Sequence, residues 1–252
     1  MAHKVHIAQS ADVLAGEVAA RLVPALVRGQ REHARAALAL TAGSIMERVW
    51  TALAASGSAG DVDWSRVDVF WGDERFVPAG SGDRNDVPAE RLLFGQSPFS
   101  AAVRYRMPAS DGEYGEDLDA AAAGYADTLR SARRADDTAA VPSFDVVLLG
   151  IGPDGHCCSL FPHHPSSSDL SAPVIAVRNS PKPPPLRISF SFDTLDTARE
   201  IWVVASGSGK ADAAARALAG AARTDVPSAG AQGRERTLWF LDRAAAANIS
   251  RS

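Results

Sequence analysis

The sequence predicts an α/β fold: a mainly parallel sheet covered by helices on both faces. Three observations predict it. Short β-branched or apolar runs alternate along the chain with alanine-rich stretches of helical pattern, the order that βαβ units produce. Runs such as "VVLL" (146–149) and "WVVA" (202–205) lack in–out alternation, as strands buried on both faces do. Hydrophobic residues make up 46% of the 252 residues, enough to bury a sizeable core.

The elements follow in order. A helix is expected over 11–28, where Ser10 offers an N-cap hydroxyl and Leu14, Val18, Leu22 and Leu26 recur every fourth residue. Pro24 lies inside that pattern and should kink or split the helix. A strand "AALALT" (36–41) leads into a helix over 44–55, and a strand "VDVFWG" (67–72) precedes helices over 86–94 and 113–132. The polar stretch 131–143 reads as a helix end and loop rather than a linker, so residues 1–252 are expected to form one domain. Strands then fall at 144–150, 173–177, 186–192, 200–206 and 236–242, with helices over 209–219 and 243–248. Of these strands "LRISFSF" (186–192) does alternate, which places it near an edge or in an antiparallel pair. Before it, "NSPKPPPLR" (179–187) holds four prolines and can only be a stiff, extended loop.

Composition narrows the function. The net charge is −4, with no block of like charge, so the chain is not built to attract nucleic acid. The first residues carry no apolar run of signal-peptide length and the longest apolar runs are strand-sized, so no membrane span is expected and a cytoplasmic protein is. The only cysteines, Cys157 and Cys158, are adjacent, a spacing that rarely gives an unstrained disulfide.

In open α/β sheets the ligand crevice lies outside the carboxyl ends of the strands. That rule selects residues 41–44, 73–75, 152–156, 179–187 and 206–210. In "TAGS", Gly43 lets a ligand approach the backbone and Ser44 can cap the helix, so the segment is either an anion site at a helix N-terminus or an ordinary βα turn. In "GDERFVP", Asp73, Glu74 and Arg75 form either a solvated loop with a local salt bridge or a group over the crevice. In the second case Arg75 would hold an oxyanion or phosphate and Asp73 would fix its orientation. Downstream "GDRND" (82–86) reads by itself as a capped turn.

The strongest signal is "GIGPDGHCCSLFP" (150–162). Three glycines in six residues let the backbone turn sharply beside a ligand, and His156 then stands over the strand ends. A neutral imidazole there can take a proton from water, and Asp154 is close enough in sequence to orient it. Zinc is disfavoured: His156, Cys157, Cys158, His163 and His164 are close together, but structural zinc sites use spaced pairs. Nothing identifies an activating base for Cys157. Lys182 and Arg187 sit on the proline loop, which is either a rigid anion clamp or a polar surface loop. Lys210 in "GSGKADAA" reads as a cap and a surface charge.

Taken in order, "TAGS", "GDERFVP", "FDVVLLGIGPDGH" with "SLFP", "SPKPPPLRISFSF", "GSGKADA" and "LWFLDRAAA" resemble the 6-phosphogluconolactonase family over almost the whole chain. The resemblance implies a Rossmann-like fold of the sugar-phosphate isomerase/deaminase type. It also implies hydrolysis of 6-phospho-D-glucono-1,5-lactone to 6-phospho-D-gluconate in the oxidative pentose phosphate pathway, with no cofactor and no metal. The expected partner is the small sugar-phosphate lactone, and the chain is expected to be a monomer or small homo-oligomer. The resemblance carries Asp83, Arg84 and Asn85 into the substrate site, beside Gly43, Ser44, Gly152 and Gly155. His156 would deprotonate water and later protonate the ring oxygen. Arg75, with Asp73 nearby, would steady the oxyanion, and Lys182 and Arg187 would grip the 6-phosphate. The chain departs from the family at Ile45-Met46, where Thr-Pro is usual, and at Cys157-Cys158, where Thr-Ala is usual. Two alternatives remain. A glucosamine-6-phosphate deaminase or isomerase would carry Phe-Asn-Glu-Pro where this chain has Ser159-Leu160-Phe161-Pro162. A non-catalytic sugar-phosphate sensor would carry a DNA-binding domain, for which 252 residues leave no spare length.

Overall fold

A computed structural model describes residues 3–168 and 172–249. In chain order its elements are β1 (Lys4–Ala8), α1 (Ala11–His33), β2 (Ala36–Leu40), α2 (Ser44–Ala54), β3 (Val67–Trp71), β4 (Asp73–Arg75), α3 (Asp86–Ala89), β5 (Val103–Tyr105) and α4 (Leu118–Ser131). They continue as β6 (Val146–Leu149), β7 (Val174–Val177), β8 (Arg187–Phe190), α5 (Phe192–Leu195), β9 (Glu200–Ala205), α6 (Ala211–Leu218), α7 (Pro227–Gly230) and β10 (Arg236–Asp242). The described residues form a seven-stranded sheet of order β1-β10-β9-β6-β2-β3-β5 and a three-stranded sheet of order β4-β8-β7. Every pairing in the large sheet is parallel. The small sheet is antiparallel.

The continuous apolar runs are explained by a core on each side of the large sheet. In β2, Ala37 and Ala39 face one core while Ala36, Leu38 and Leu40 face the other. In β9, Ile201 and Val203 join the first core and Trp202 and Val204 the second. Helices α1 and α2 close the second core. Helices α4 and α6 and the small sheet close the first. No helix among the described residues is long and apolar enough to cross a membrane.

From β2 the chain moves outward to β3 and β5, then returns to place β6 on the other side of β2. The strand order therefore reverses between β2 and β6, and a crevice opens beyond their carboxyl ends.

Several elements differ from the sequence reading. The first helix is a single run through Pro24, with Ser10 accepting from Val13 N at 3.3 Å as expected. Pro24 and Ala20 both lie on the exposed face, where water can satisfy the carbonyl that proline leaves without a donor. The helix expected over 86–94 is α3 followed by a π-helical turn, closed by Gly95 N on Glu90 O at 2.7 Å. Residues 113–117 stay outside α4: Gly115 has φ +53°, and Asp117 caps the helix through Ala120 N. Residues 243–248 form turns instead of a helix. The alternating strand is β8, the centre of the antiparallel sheet, and it stops at Phe190 because Phe192 opens α5.

Candidate active site

A cavity of about 450 Å³ opens at the switch point. Its walls are the segments that follow β2, β3, β6 and β9, together with the proline loop. Five basic side chains (Arg75, Arg84, Lys182, Arg187 and Lys210) line it against three acidic ones (Glu47, Asp73 and Asp83). The balance suits an anionic ligand.

After β6 the chain makes the glycine turn. Gly152 N donates to His156 O at 2.8 Å, and Gly155 N donates to Gly152 O at 3.0 Å. Gly155 has φ +92°, and a Cβ there would come within 2.7 Å of Val226 Cγ1. A Cβ on Gly152 would come within 2.0 Å of His156 Nδ1 and 2.3 Å of Asp154 Oδ1. The missing side chain is thus the space into which the His156–Asp154 pair folds. These two groups lie 2.6 Å apart through His156 Nδ1. Lys182 Nζ approaches both, 3.4 Å from Asp154 Oδ1 and 3.2 Å from His156 Nδ1. Burial alone would raise the Asp154 pKa, but the hydrogen bond from His156 and the charges of His156 and Lys182 outweigh it and hold the carboxyl well below its usual range. An ionised Asp154 can only accept, so Nδ1 must donate, and in the neutral ring Nε2 carries the free lone pair. Nε2 has no protein hydrogen bond among the described residues, and His156 lines the cavity.

The segment "DER" is a strand and not a solvated loop. As β4 it pairs with β8, and Asp73 and Glu74 are buried. Side chains alternate along it, so Asp73 and Arg75 line the cavity while Glu74 does not. Asp73 accepts from Ser159 Oγ at 2.6 Å and Asn85 Nδ2 at 3.1 Å, and lies 3.9 Å from Arg187 Nη1. It therefore orients Asn85 and Arg187, whereas the sequence reading had it orient Arg75. The Arg75 guanidinium is held by the Asp83 carbonyl at 2.9 Å, and its buried Nε has no partner.

Other expected site residues take less direct places. Gly43, at φ +127°, lines the cavity and stands at the N-cap position of α2. Ser44 makes no cap hydrogen bond; it faces a neighbouring groove with Asp12 and Arg48. The Arg187 side chain binds the carbonyls of Lys182, Pro183 and Pro184, so this cation staples the loop that presents Lys182. Arg84 is buried against Asp86 and the Met107 carbonyl, and Asn85 is spent on Asp73. Asp83, Arg84 and Asn85 all line the cavity, but the Asp83 carbonyl, the Arg84 guanidinium and the Asn85 amide are committed to protein partners.

Two charged lining residues were missed by the sequence reading. Lys210 was assigned to the surface, yet it is half-buried in the cavity wall, and burial and the charge of Lys182 lower its pKa. Its signal was the position of 206–210 after a strand. Glu47, in the first turn of α2, is the other.

Residues 156–161 are not helical, and Cys157 and Cys158 are both buried. Burial pushes the Cys157 thiol up to about 12 and Cys158 well above its ordinary value. His163 is exposed near Asp225, and His164 binds Ser166 and the Arg178 carbonyl. Among the described residues no group of three His, Cys, Asp or Glu side chains could hold a metal ion.

A family profile described as glucosamine-6-phosphate isomerases/6-phosphogluconolactonase matches residues 9–239. The chain belongs to this family. A 6-phosphogluconolactonase of Streptomyces coelicolor is 47% identical over 96% of this chain and 92% of that protein. One from Mycobacterium tuberculosis is 42% identical over 99% of both. The solved structure of the Trypanosoma brucei 6-phosphogluconolactonase, 25% identical, superposes with a TM-score of 0.84 over 98% of both chains. Among the departures from the usual family pattern, Cys157 and Cys158 are buried replacements packed in the first core, and Ile45 and Met46 stand in the first turn of α2.

Proposed function

We infer that the chain hydrolyses 6-phospho-D-glucono-1,5-lactone to 6-phospho-D-gluconate, the second step of the oxidative pentose phosphate pathway. The observation that carries the mechanism is the Asp154–His156 pair on the cavity wall, with Nε2 free. A δ-lactone is an activated ester, so water suffices as nucleophile once a base takes its proton. Nε2 of His156 removes that proton as the water oxygen attacks C1, and Asp154 steadies the imidazolium that forms. The carbonyl oxygen becomes an alkoxide, and the Arg75 guanidinium on the cavity wall donates to it. When the alkoxide reforms the carbonyl, the C1–O5 bond breaks and the imidazolium gives its proton to O5. The product acid ionises to the carboxylate, releasing one proton.

The phosphate is remote from C1 and takes the other cations. Since β9 neighbours β6 and β6 neighbours β2, the turn bearing Lys210 flanks the histidine turn on the side opposite β3 and Arg75. Lys182 reaches the same region from the proline loop. Lys182 and Lys210 hold the phosphate, with the Gly43 turn beside them, and Arg187 fixes the loop that carries Lys182. The deaminase reading finds no acid in the run after His156, where Ser159, Leu160 and Phe161 are all buried.

The test is lactone hydrolysis measured above the spontaneous rate, with His156→Asn compared. The variant should fold and lose about 10²- to 10⁴-fold in kcat, the usual worth of acid–base catalysis. Near-normal turnover would remove His156 from the mechanism.

A further inference from the structure

We propose that Glu74 is a positioning residue for the lactone site: its carboxylate ties the loop at 83–86 to β4 and so holds the Arg75 guanidinium at the reacting carbonyl. The proposal rests on the role given to Arg75 above.

Glu74 is 1% exposed and does not line the cavity, so it touches no substrate. Its Oε1 accepts from Arg75 N at 2.8 Å and from Asn85 N at 2.6 Å, and its Oε2 accepts from Asp86 N at 3.1 Å. Arg84 Nη2 lies 3.6 Å from Oε2, so the buried anion has a counter-charge. One carboxylate thus gathers backbone donors from two segments that are ten residues or so apart in the chain. The connection continues to the cavity, because the same loop offers the Asp83 carbonyl to Arg75 Nη1 at 2.9 Å. It also offers Asn85 Nδ2 to Asp73, whose carboxylate stands near Arg187. Glu74 therefore fixes both the strand that Arg75 leaves from and the loop that its guanidinium lands on.

Burying a carboxylate is costly, and an apolar side chain of like volume would fill this space without that cost. An apolar side chain could not satisfy three convergent N–H groups. A carboxyl group offers two acceptor oxygens, with about four acceptor sites and no donor when ionised and both oxygens still able to accept when protonated. A carboxamide offers one oxygen and sets an NH₂ against at least one of the same N–H groups, whichever way it is turned.

A double-mutant cycle tests the proposal. Glu74→Gln, Arg75→Ala and the double variant are assayed on the phosphorylated lactone, with folding checked by thermal unfolding. A misplacement of about 1 Å at a catalytic group costs about 10²-fold. Glu74→Gln should accordingly lower kcat/KM by about 10- to 100-fold in the wild-type background, yet by less than about threefold once Arg75 is already alanine. Equal losses in both backgrounds would overturn the proposal while leaving Arg75 in the chemistry, because Glu74 would then act on something else. Near-normal Glu74→Gln activity would overturn it also. An Arg75→Ala enzyme of near-normal turnover would overturn the role of Arg75 itself and the proposal with it, an outcome distinct from additive losses. Should Glu74→Gln fail to fold, Glu74→Asp replaces it in the cycle, keeping the charge and shortening the reach by one methylene. The same non-additivity is expected of it.

Discussion

Replacing Gly152 with alanine adds one methyl group at the point where the histidine turn folds on itself. The new Cβ would stand 2.0 Å from His156 Nδ1, 2.2 Å from Cε1 and 2.3 Å from Asp154 Oδ1, where ordinary contact begins at 3.4 Å. The imidazole must therefore retreat by about 1.4 Å, and Asp154 by about 1.1 Å. Both obstructing groups are side chains and not backbone, so the fold can absorb the change by displacing them, but the base cannot stay where it is. A shift of this size at the reacting group costs about 10²-fold in rate. Gly152 does not have positive φ, so alanine strains no backbone there and should leave the unfolding temperature nearly unchanged. Gly150 provides the control two residues away, since a Cβ on it would meet nothing closer than 3.9 Å. The assay is initial-rate hydrolysis of freshly prepared lactone, followed by acid release. Gly152→Ala should lose about 10²-fold in kcat and Gly150→Ala less than about threefold. Equal activities for the two would refute the argument that the glycine exists to seat the His156–Asp154 pair.

Lys210→Ala should raise KM for the phosphorylated lactone by about 10- to 150-fold, the affinity equivalent of one hydrogen bond to a charged group. It should leave kcat nearly unchanged, because the phosphate contact is made alike in ground and transition states. An equal loss on unphosphorylated glucono-1,5-lactone would show that Lys210 acts at the carbonyl instead. Glu74 supplies a pH dependence of stability: burial raises its carboxyl from 4.5 to about 7, with Asp86 adding to the rise, against the pull of Arg84 and the N–H groups of Asn85 and Arg75. Arg187 on β8 and the Tyr125 hydroxyl on α4 also face that charge. The folded chain thus holds this proton more tightly than the unfolded one, so the contribution is complete below 4.5 and is lost as pH rises through about 7. Thermal unfolding across that interval should show the wild type losing ground to Glu74→Gln; a constant difference between them would refute the shift.

The catalytic turn was legible because its glycines mark a backbone bend that few other sequences need, and His156 follows a strand that could only be buried. The doubly buried strands were legible for the same reason. What escaped was decided by distant partners. Asp73, Glu74 and Arg75 read as either a charged loop or a group over the crevice but not as a strand, since nothing local shows that β8 will arrive to pair with them and that Asn85, Asp86 and Arg84 will match their charges. β1, "KVHIA", is a short, half-polar edge whose strand character comes from β10 alone. Arg187 looked like a free cation because the carbonyls it binds belong to the proline loop's folded shape. Lys210 looked like a surface cap because its pocket is built by segments 23 or more residues earlier in the chain, from Arg187 back to Thr41.

The pairing of β1 with β10, in which Lys4 lies opposite Leu238, bears on how this chain emerges from the ribosome. During synthesis β1 has no neighbour until β10 is made, and β6 lacks its β9 flank until residues near 200 have appeared. Nascent chains therefore present unpaired parallel edges, the kind that invite association and chaperone capture. Because β10 is the strand that joins β1 to β9, a ribosome-bound fragment that stops short of residue 236 cannot complete the large sheet and should be catalytically silent however well its earlier helices have formed.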